Sequence, residues 1–90
     1  MKLIYCPDCA TIINIDGQYT QCRCGSSYGY YLDDGINAVY GGQAIPLGFT
    51  NKSFLKAVVE QPESGAGNLF VSFVIPKECE TFVKKEDEMD

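Results

Sequence analysis

Four of the five cysteines in this 90-residue chain are spaced for chemistry: Cys6-Pro7-Asp8-Cys9, then twelve residues, then Cys22-Arg23-Cys24-Gly25. Thiolate sulfur is a soft ligand, and four thiolates suit a tetrahedral ion with no open coordination position. Two short-spaced pairs about a hairpin length apart predict one structural Zn2+ held by Cys6, Cys9, Cys22 and Cys24. The second pair encloses one residue where zinc ribbons usually enclose two, so that knuckle is tight. Iron in a rubredoxin-like site uses the same ligands and is one alternative; a metal-free chain is the other. Catalytic zinc would need an open position and a nearby base, and the chain has no histidine. Cys79 is left over. Its neighbours Glu78 and Glu80 should raise its pKa and blunt it, which makes it an incidental thiol near the last strand.

Two further groups of residues invite chemical readings. Asp33 and Asp34 could form an acid–base pair, but adjacent residues on a strand face opposite ways and Gly35 follows, so a turn accounts for them better. Tyr28, Tyr30 and Tyr31 cluster just after the second knuckle, with Tyr40 on the next strand. They read either as packing beside the metal or as a contact surface for a partner, since tyrosine is enriched at binding hot spots. Gly41-Gly42 and Gly65-Ala66-Gly67 lack the strand, helix and Lys-Ser context of a phosphate loop and read as turns.

The elements that must position these residues follow from the local pattern. Lys2 to Tyr5 leads as a short strand into the first knuckle. Thr11 to Ile15 is rich in β-branched residues and runs into Asp16-Gly17, a favourable hairpin dipeptide; Gln18 to Gln21 would return as its partner and deliver Cys22. The metal site is thus expected at the open end of one hairpin. Gly25 suits the left-handed turn that a knuckle requires, and Ala10 in the matching place suits it less. Tyr28 to Leu32 and Ile36 to Tyr40 read as strands. Gln43 to Phe49 is extended, but Pro46 and Gly48 should confine it to an edge or bulge. A helix is expected over residues 52–61, capped by Thr50 or Asn51, with Phe54, Leu55, Val58 and Val59 as its apolar stripe and Pro62 ending it. Leu69 to Ile75 is the most apolar run and is expected centrally in the sheet. A short strand around Thr81-Phe82-Val83 precedes an acidic tail over residues 84–90.

These elements predict a single α+β domain spanning residues 1–90. A zinc-ribbon β-hairpin (residues 1–27) is joined to a small antiparallel sheet with one short helix packed on it (residues 28–83). A chain of this length buries only about 60% of the surface its unfolded form exposes, so its core is marginal without a staple. Structural zinc supplies one, contributing roughly 10–16 kcal/mol in small zinc peptides. Reduced metal-binding thiols, no signal peptide and no apolar run near the ~20 residues of a membrane span point to the cytoplasm. The net charge is −5, from 12 acidic and 7 basic residues. That balance disfavours non-specific nucleic-acid binding, which needs a positive field to displace counterions.

From Cys22 to Ala57 the run Cys-Arg-Cys-Gly, Tyr-Leu-Asp-Asp-Gly, Ala-Val-Tyr-Gly-Gly and Ala-Ile-Pro-Leu-Gly-Phe-Thr-Asn-Lys-Ser-Phe resembles small zinc-ribbon proteins encoded by bacteria and their phages. With the Cys6/Cys9 pair, the likeness covers about two thirds of the chain. It implies a zinc-ribbon fold, metal-ligand roles for the cysteines and a bacterial or viral origin, and it supplies no mechanism. Together these readings lead to an expectation of a non-enzymatic, zinc-stabilised protein-interaction module. A phage-encoded regulator or inhibitor acting on a host protein, or on its own kind, would fit. A nucleic-acid-binding ribbon using Arg23, the tyrosines and the helix lysines is the alternative.

Overall fold

Alternation along β1 (Lys2–Cys6) sets up the whole architecture, turning Ile4 and Cys6 to one side and Leu3 and Tyr5 to the other. The computed structural model describes residues 2–85. In it β1 lies inside an antiparallel sheet ordered β2 (Thr11–Asn14), β1, β6 (Ile45–Phe49), β7 (Ser72–Val74). A second sheet is ordered β3 (Thr20–Gln21), β4 (Ser27–Tyr31), β5 (Ala38–Gly42), β8 (Phe82–Lys84), with only β5 and β8 parallel. One helix, α1 (Asn51–Val59), completes an α+β architecture of the expected class.

The core forms where the two inner faces meet. Ile4 and Ile15 come from the first sheet and its exit, Ala38, Tyr40 and Phe82 from the second, and Ala44 from the turn between β5 and β6. The Tyr40 and Phe82 rings meet edge to face at 5.0 Å. Strands from residues 1–27 are shared between both sheets, so the knuckle segment is woven into the rest and does not stand apart from it.

Several local expectations change. The Asp16-Gly17 dipeptide does not close a hairpin. β2 turns back on β1 around the first knuckle, with Cys6 opposite Thr11, and β3 turns onto β4 around the second. Residues 15–19 cross from one sheet to the other, and Gly17 has no positive φ. The Asp16 carboxylate accepts the Gln18 N–H at 2.9 Å and its carbonyl accepts Tyr31 N–H, so this dipeptide turns the chain by an Asx contact. The N-terminal hairpin is therefore β1–β2, and the four cysteines lie between two hairpins.

Pro46 is interior, not at an edge: β6 sits between β1 and β7. Its carbonyl accepts Ile75 N–H just past the end of β7. The missing N–H would point the same way, toward Ile75, so this last pair of the ladder keeps one of the two bonds it could exchange and the bonds between β6 and β1 are untouched. Asp33-Asp34-Gly35 is the expected turn. Asp34 accepts the backbone N–H groups of Ile36 and Asn37, both at 2.9 Å, and these bonds hold its carboxyl below the usual range.

Gly41 and Gly42 lie inside β5 and do not break it. A Cβ on Gly41 would collide with the Tyr28 ring laid across it. Gly42 has φ +68°, and a Cβ there would strike the carbonyl of Ser26, which also accepts Gln43 N–H at 2.9 Å. Gly42→Ala is thus expected to push on the second knuckle as well as to strain the backbone, costing more than about 2 kcal/mol. Denaturant melts would show the loss, and a metal titration would show weaker binding in the same variant.

The largest departures concern α1 and β7. The most apolar run forms an edge strand instead of a central one, with Leu69, Phe70, Val71, Phe73 and Val74 all exposed. The helix buries none of its residues. Phe54 meets the rings of Phe49 and Phe70 at 5.2 and 5.0 Å, while Leu55, Val58 and Val59 face outward. Thr50 stands at the N-cap without a side-chain cap bond. Ser53 Oγ instead donates to the Thr50 carbonyl and accepts Val71 N–H, tying the helix to the approach of β7. The helix is held by the Phe54 ring on Phe49 of β6 and by bonds at its two ends, and no face of it is buried. The radius of gyration, 14.8 Å, exceeds the ~12 Å of a compact chain of this length, as such an outlying segment requires. Of the acidic tail, residues 86–90 lie outside the described residues.

Candidate metal centre

Each cysteine pair rides on a knuckle that ends one strand and begins the next. Cys6 closes β1, and Cys9 and Ala10 lead into β2. Cys22 follows β3, and Cys24, Gly25 and Ser26 lead into β4. Both knuckles place a left-handed residue directly after their second cysteine, Ala10 at φ 54° and Gly25 at φ 82°. In the second knuckle Gly25 N–H donates to the Cys22 carbonyl at 3.1 Å and Cys22 N–H to the Ser27 carbonyl at 2.9 Å. Alanine pays a steric cost at such a φ that glycine does not. Ala10→Gly is therefore expected to stabilise the protein by about 0.5–1 kcal/mol, read as a higher denaturation midpoint at unchanged metal stoichiometry.

The folding of the two hairpins brings all four Sγ atoms within 4.8 Å of one another. Cys6 and Cys24 are 3.7 Å apart, and Cys22 and Cys24 are 3.6 Å apart. Metal–sulfur bonds of about 2.3 Å in a tetrahedron put sulfurs about 3.8 Å from each other. The four thiols predicted from spacing are thus together, at a separation that could hold one metal ion. Cys6 and Cys9 belong to the first sheet, Cys22 and Cys24 to the second, so an ion there bolts the sheets together at one end.

Hydroxyl groups surround the sulfurs. Ser26 Oγ lies 3.3 Å from Cys6 Sγ and 3.2 Å from Cys24 Sγ, and the Cys9 thiol meets Thr11 Oγ1 at 3.2 Å. Ser27 Oγ is fully buried and makes no hydrogen bond of ordinary length, yet it stands close enough to Cys6 to favour its thiolate. An orphaned donor beside a sulfur is suited to a metal-bound thiolate, which would satisfy it. Burial opposes ionisation of Cys6, but the Ser26 and Ser27 hydroxyls, the Cys9 backbone and the Cys22 thiol outweigh it and bring its pKa down to about 5. Burial likewise opposes ionisation of Cys22, and the Ser27 backbone with the Cys24 and Cys9 thiols lowers its pKa all the same. At Cys24 the Ser26 hydroxyl and backbone favour the thiolate, but burial and the neighbouring sulfurs of Cys22 and Cys9 prevail and push its pKa up. Crowded sulfurs of this kind favour a cation that shares their charge. Ser26 and Ser27 were not legible as part of the site, because serine two or three positions past a cysteine has no distinctive spacing. Ser26→Ala is expected to weaken metal affinity about 10-fold, measured by competition with a chromogenic chelator.

The four tyrosines separate. Alternation along β4 sends Tyr28 and Tyr30 to the outer face and Tyr31 inward, where it packs against the core with Lys2 Nζ 5.4 Å above its ring. Tyr40 is 2% exposed. It belongs to the core beside Phe82 and forms no part of a partner surface, because β5 turns it to the same side as Ala38. In its place Tyr19, 59% exposed, stacks on Tyr28 at 5.2 Å and reaches Tyr30 at 6.1 Å. Only the β3–β4 pairing, which sets Gln21 opposite Tyr28, brings Tyr19 to this face.

Cys79 lies outside the sulfur cluster, half-buried against the core. Its pKa is lowered, not raised: the Thr81 hydroxyl and backbone act on it more strongly than the neighbouring glutamates. No helix of the described residues is long and apolar enough to cross a membrane. No family model, no curated protein and no solved structure matches this chain.

Proposed function

We propose that this protein is a non-enzymatic interaction module whose fold is held by one structural Zn2+ on Cys6, Cys9, Cys22 and Cys24. The observation that carries the reading is the closed four-sulfur cluster linking two sheets, which offers ligands for a tetrahedral ion and no open place for substrate. Zinc suits this donor set and requires no redox partner; iron would suit it equally in geometry, and metal analysis separates the two. One zinc per chain in colourless protein supports the reading, and red protein with visible sulfur-to-iron absorption sinks it.

The contact surface in this reading is the outer face of the second sheet, where Tyr19, Tyr28 and Tyr30 form an aromatic cluster. The partner is a protein, and a regulator or inhibitor of a bacterial host protein in the cytoplasm is the role the zinc-ribbon resemblance favours. Capture from bacterial lysate with and without nuclease tests it. A defined protein retained after nuclease, and lost with Tyr19→Ala plus Tyr30→Ala, is the expected result. The stacked Tyr19 and Tyr28 rings also give a second reading some footing, since bases stack on such rings. Salt-dependent binding of single-stranded oligonucleotides would move the assignment there, against the handicap of a net charge of −5.

A further inference from the structure

The edge of β7 is built to pair. Thr50 N–H bonds to the Val71 carbonyl at 2.8 Å, and Ile75 N–H to the Pro46 carbonyl at 2.9 Å, so alternate residues from 71 to 75 turn their main-chain groups toward β6. Ser72 and Val74, lying between them, direct N–H and C=O outward. No strand of the described residues lies beyond β7. Soluble proteins blunt such edges with charge, proline or a cover. Residues 69–75 contain no charged residue and no proline, whereas the outer strand of the second sheet, β8, carries Lys84 with Lys85 beside it.

We propose that this edge is a self-association surface, with two copies pairing β7 to β7 antiparallel about a two-fold axis at Phe73. The inference goes beyond the tyrosine-face reading above, adding a second surface, on the first sheet, whose partner is a second copy of this chain. With the axis at Phe73, Ser72 of each copy lies opposite Val74 of the other. Each such pair exchanges two main-chain bonds, giving four, and joins the two first sheets into one continuous sheet. Phe73 faces its own counterpart in a non-hydrogen-bonded position, where side chains approach most closely. A second copy fits better than an unrelated strand because an antiparallel edge is complementary to itself, and the two-fold closes it with no edge left over. The area fits too. The exposed apolar residues of the run itself, Leu69, Phe70, Val71, Phe73 and Val74, together amount to about three whole residues. That is on the order of 500 Å2 per copy and about 1,000 Å2 for the pair, the size of a small, weak interface.

Sedimentation equilibrium of the intact, metal-loaded chain from about 1 to 100 µM tests the proposal, with metal per chain measured in the same samples. The expected result is a rise from the 9.9 kDa chain mass to twice that mass. Val74→Lys sets a charge on the edge, opposite Ser72 of the second copy. Ser72→Pro removes an outward N–H and leaves the bonds to β6 in place. Each is expected to weaken the dimer at least ~100-fold while the metal content stays at that of the unaltered chain. A chain that carries its metal and stays at single mass throughout overturns self-association and leaves the zinc reading standing. Two variants that dimerise like the parent also overturn it. A dimer without metal supports the β7 surface and removes zinc from the proposal.

Discussion

Stripping the metal with a strong chelator at neutral pH is expected to unfold most of this domain, and stoichiometric Zn2+ to restore it. The reason lies in how little else joins the two sheets. The core has six buried residues, the strands are two to five residues long, and the helix adds no buried side chain. Structural zinc in small domains contributes roughly 10–16 kcal/mol, as much as the whole stability of an ordinary domain at about 5–15 kcal/mol. Cys22→Ser should act as chelation does, since Cys22 is buried and carries the second sheet's half of the clamp. Acid should have the same effect, because protons compete with the metal for thiolates. Loss of dispersed amide resonances on chelation is the readout. An unchanged melting curve with the metal gone would refute a structural role for the site.

Phe82→Ala is expected to cost about 3–5 kcal/mol, the range for a large aromatic removed from a packed interior. Phe82 has no exposed surface and packs edge-on against Tyr40. It is also the anchor of β8, a three-residue strand added in parallel to β5, with Ala38 opposite Phe82. Val83 points to the other face and is 48% exposed, so Val83→Ala should cost no more than about 0.5 kcal/mol. Urea melts of the two variants side by side, both metal-loaded, check this. Equal losses would show that β8 is held by its backbone alone and not by the ring.

The cysteine set was legible because metal ligation is a matter of residue type and short spacing, both of which are written in the chain. The turn at Asp34 and the helix were legible for the same local reason, since side-chain-to-backbone bonds and a 3.6-residue period act within a few positions. Pairing was not. Asp16-Gly17 has the chemistry of a hairpin turn, but Ile13 and Ile15 gain more by facing the inner sides of two sheets than by closing one hairpin. Gly41-Gly42 carries the composition of a turn, yet its glycines serve the close approach of Tyr28 and Ser26, neighbours only in space. Apolar composition also misplaced Leu69–Ile75. Hydrophobicity shows that a strand wants cover, and it does not show whether the cover is the same chain.

The sequence by itself determined the class of the fold, the four cysteines that meet in one cluster, the left-handed demand after each cysteine pair and the acidic net charge. Each depends on one residue or on residues a few positions apart. Tertiary structure alone decided that the four sulfurs meet between two sheets, that Ser26 and Ser27 attend them, that Tyr40 is core while Tyr19 joins the surface, and that β7 is an open edge among the described residues. Those outcomes depend on which strands pair, and pairing is set by long-range burial of whole faces, where each strand's best partner depends on all the others.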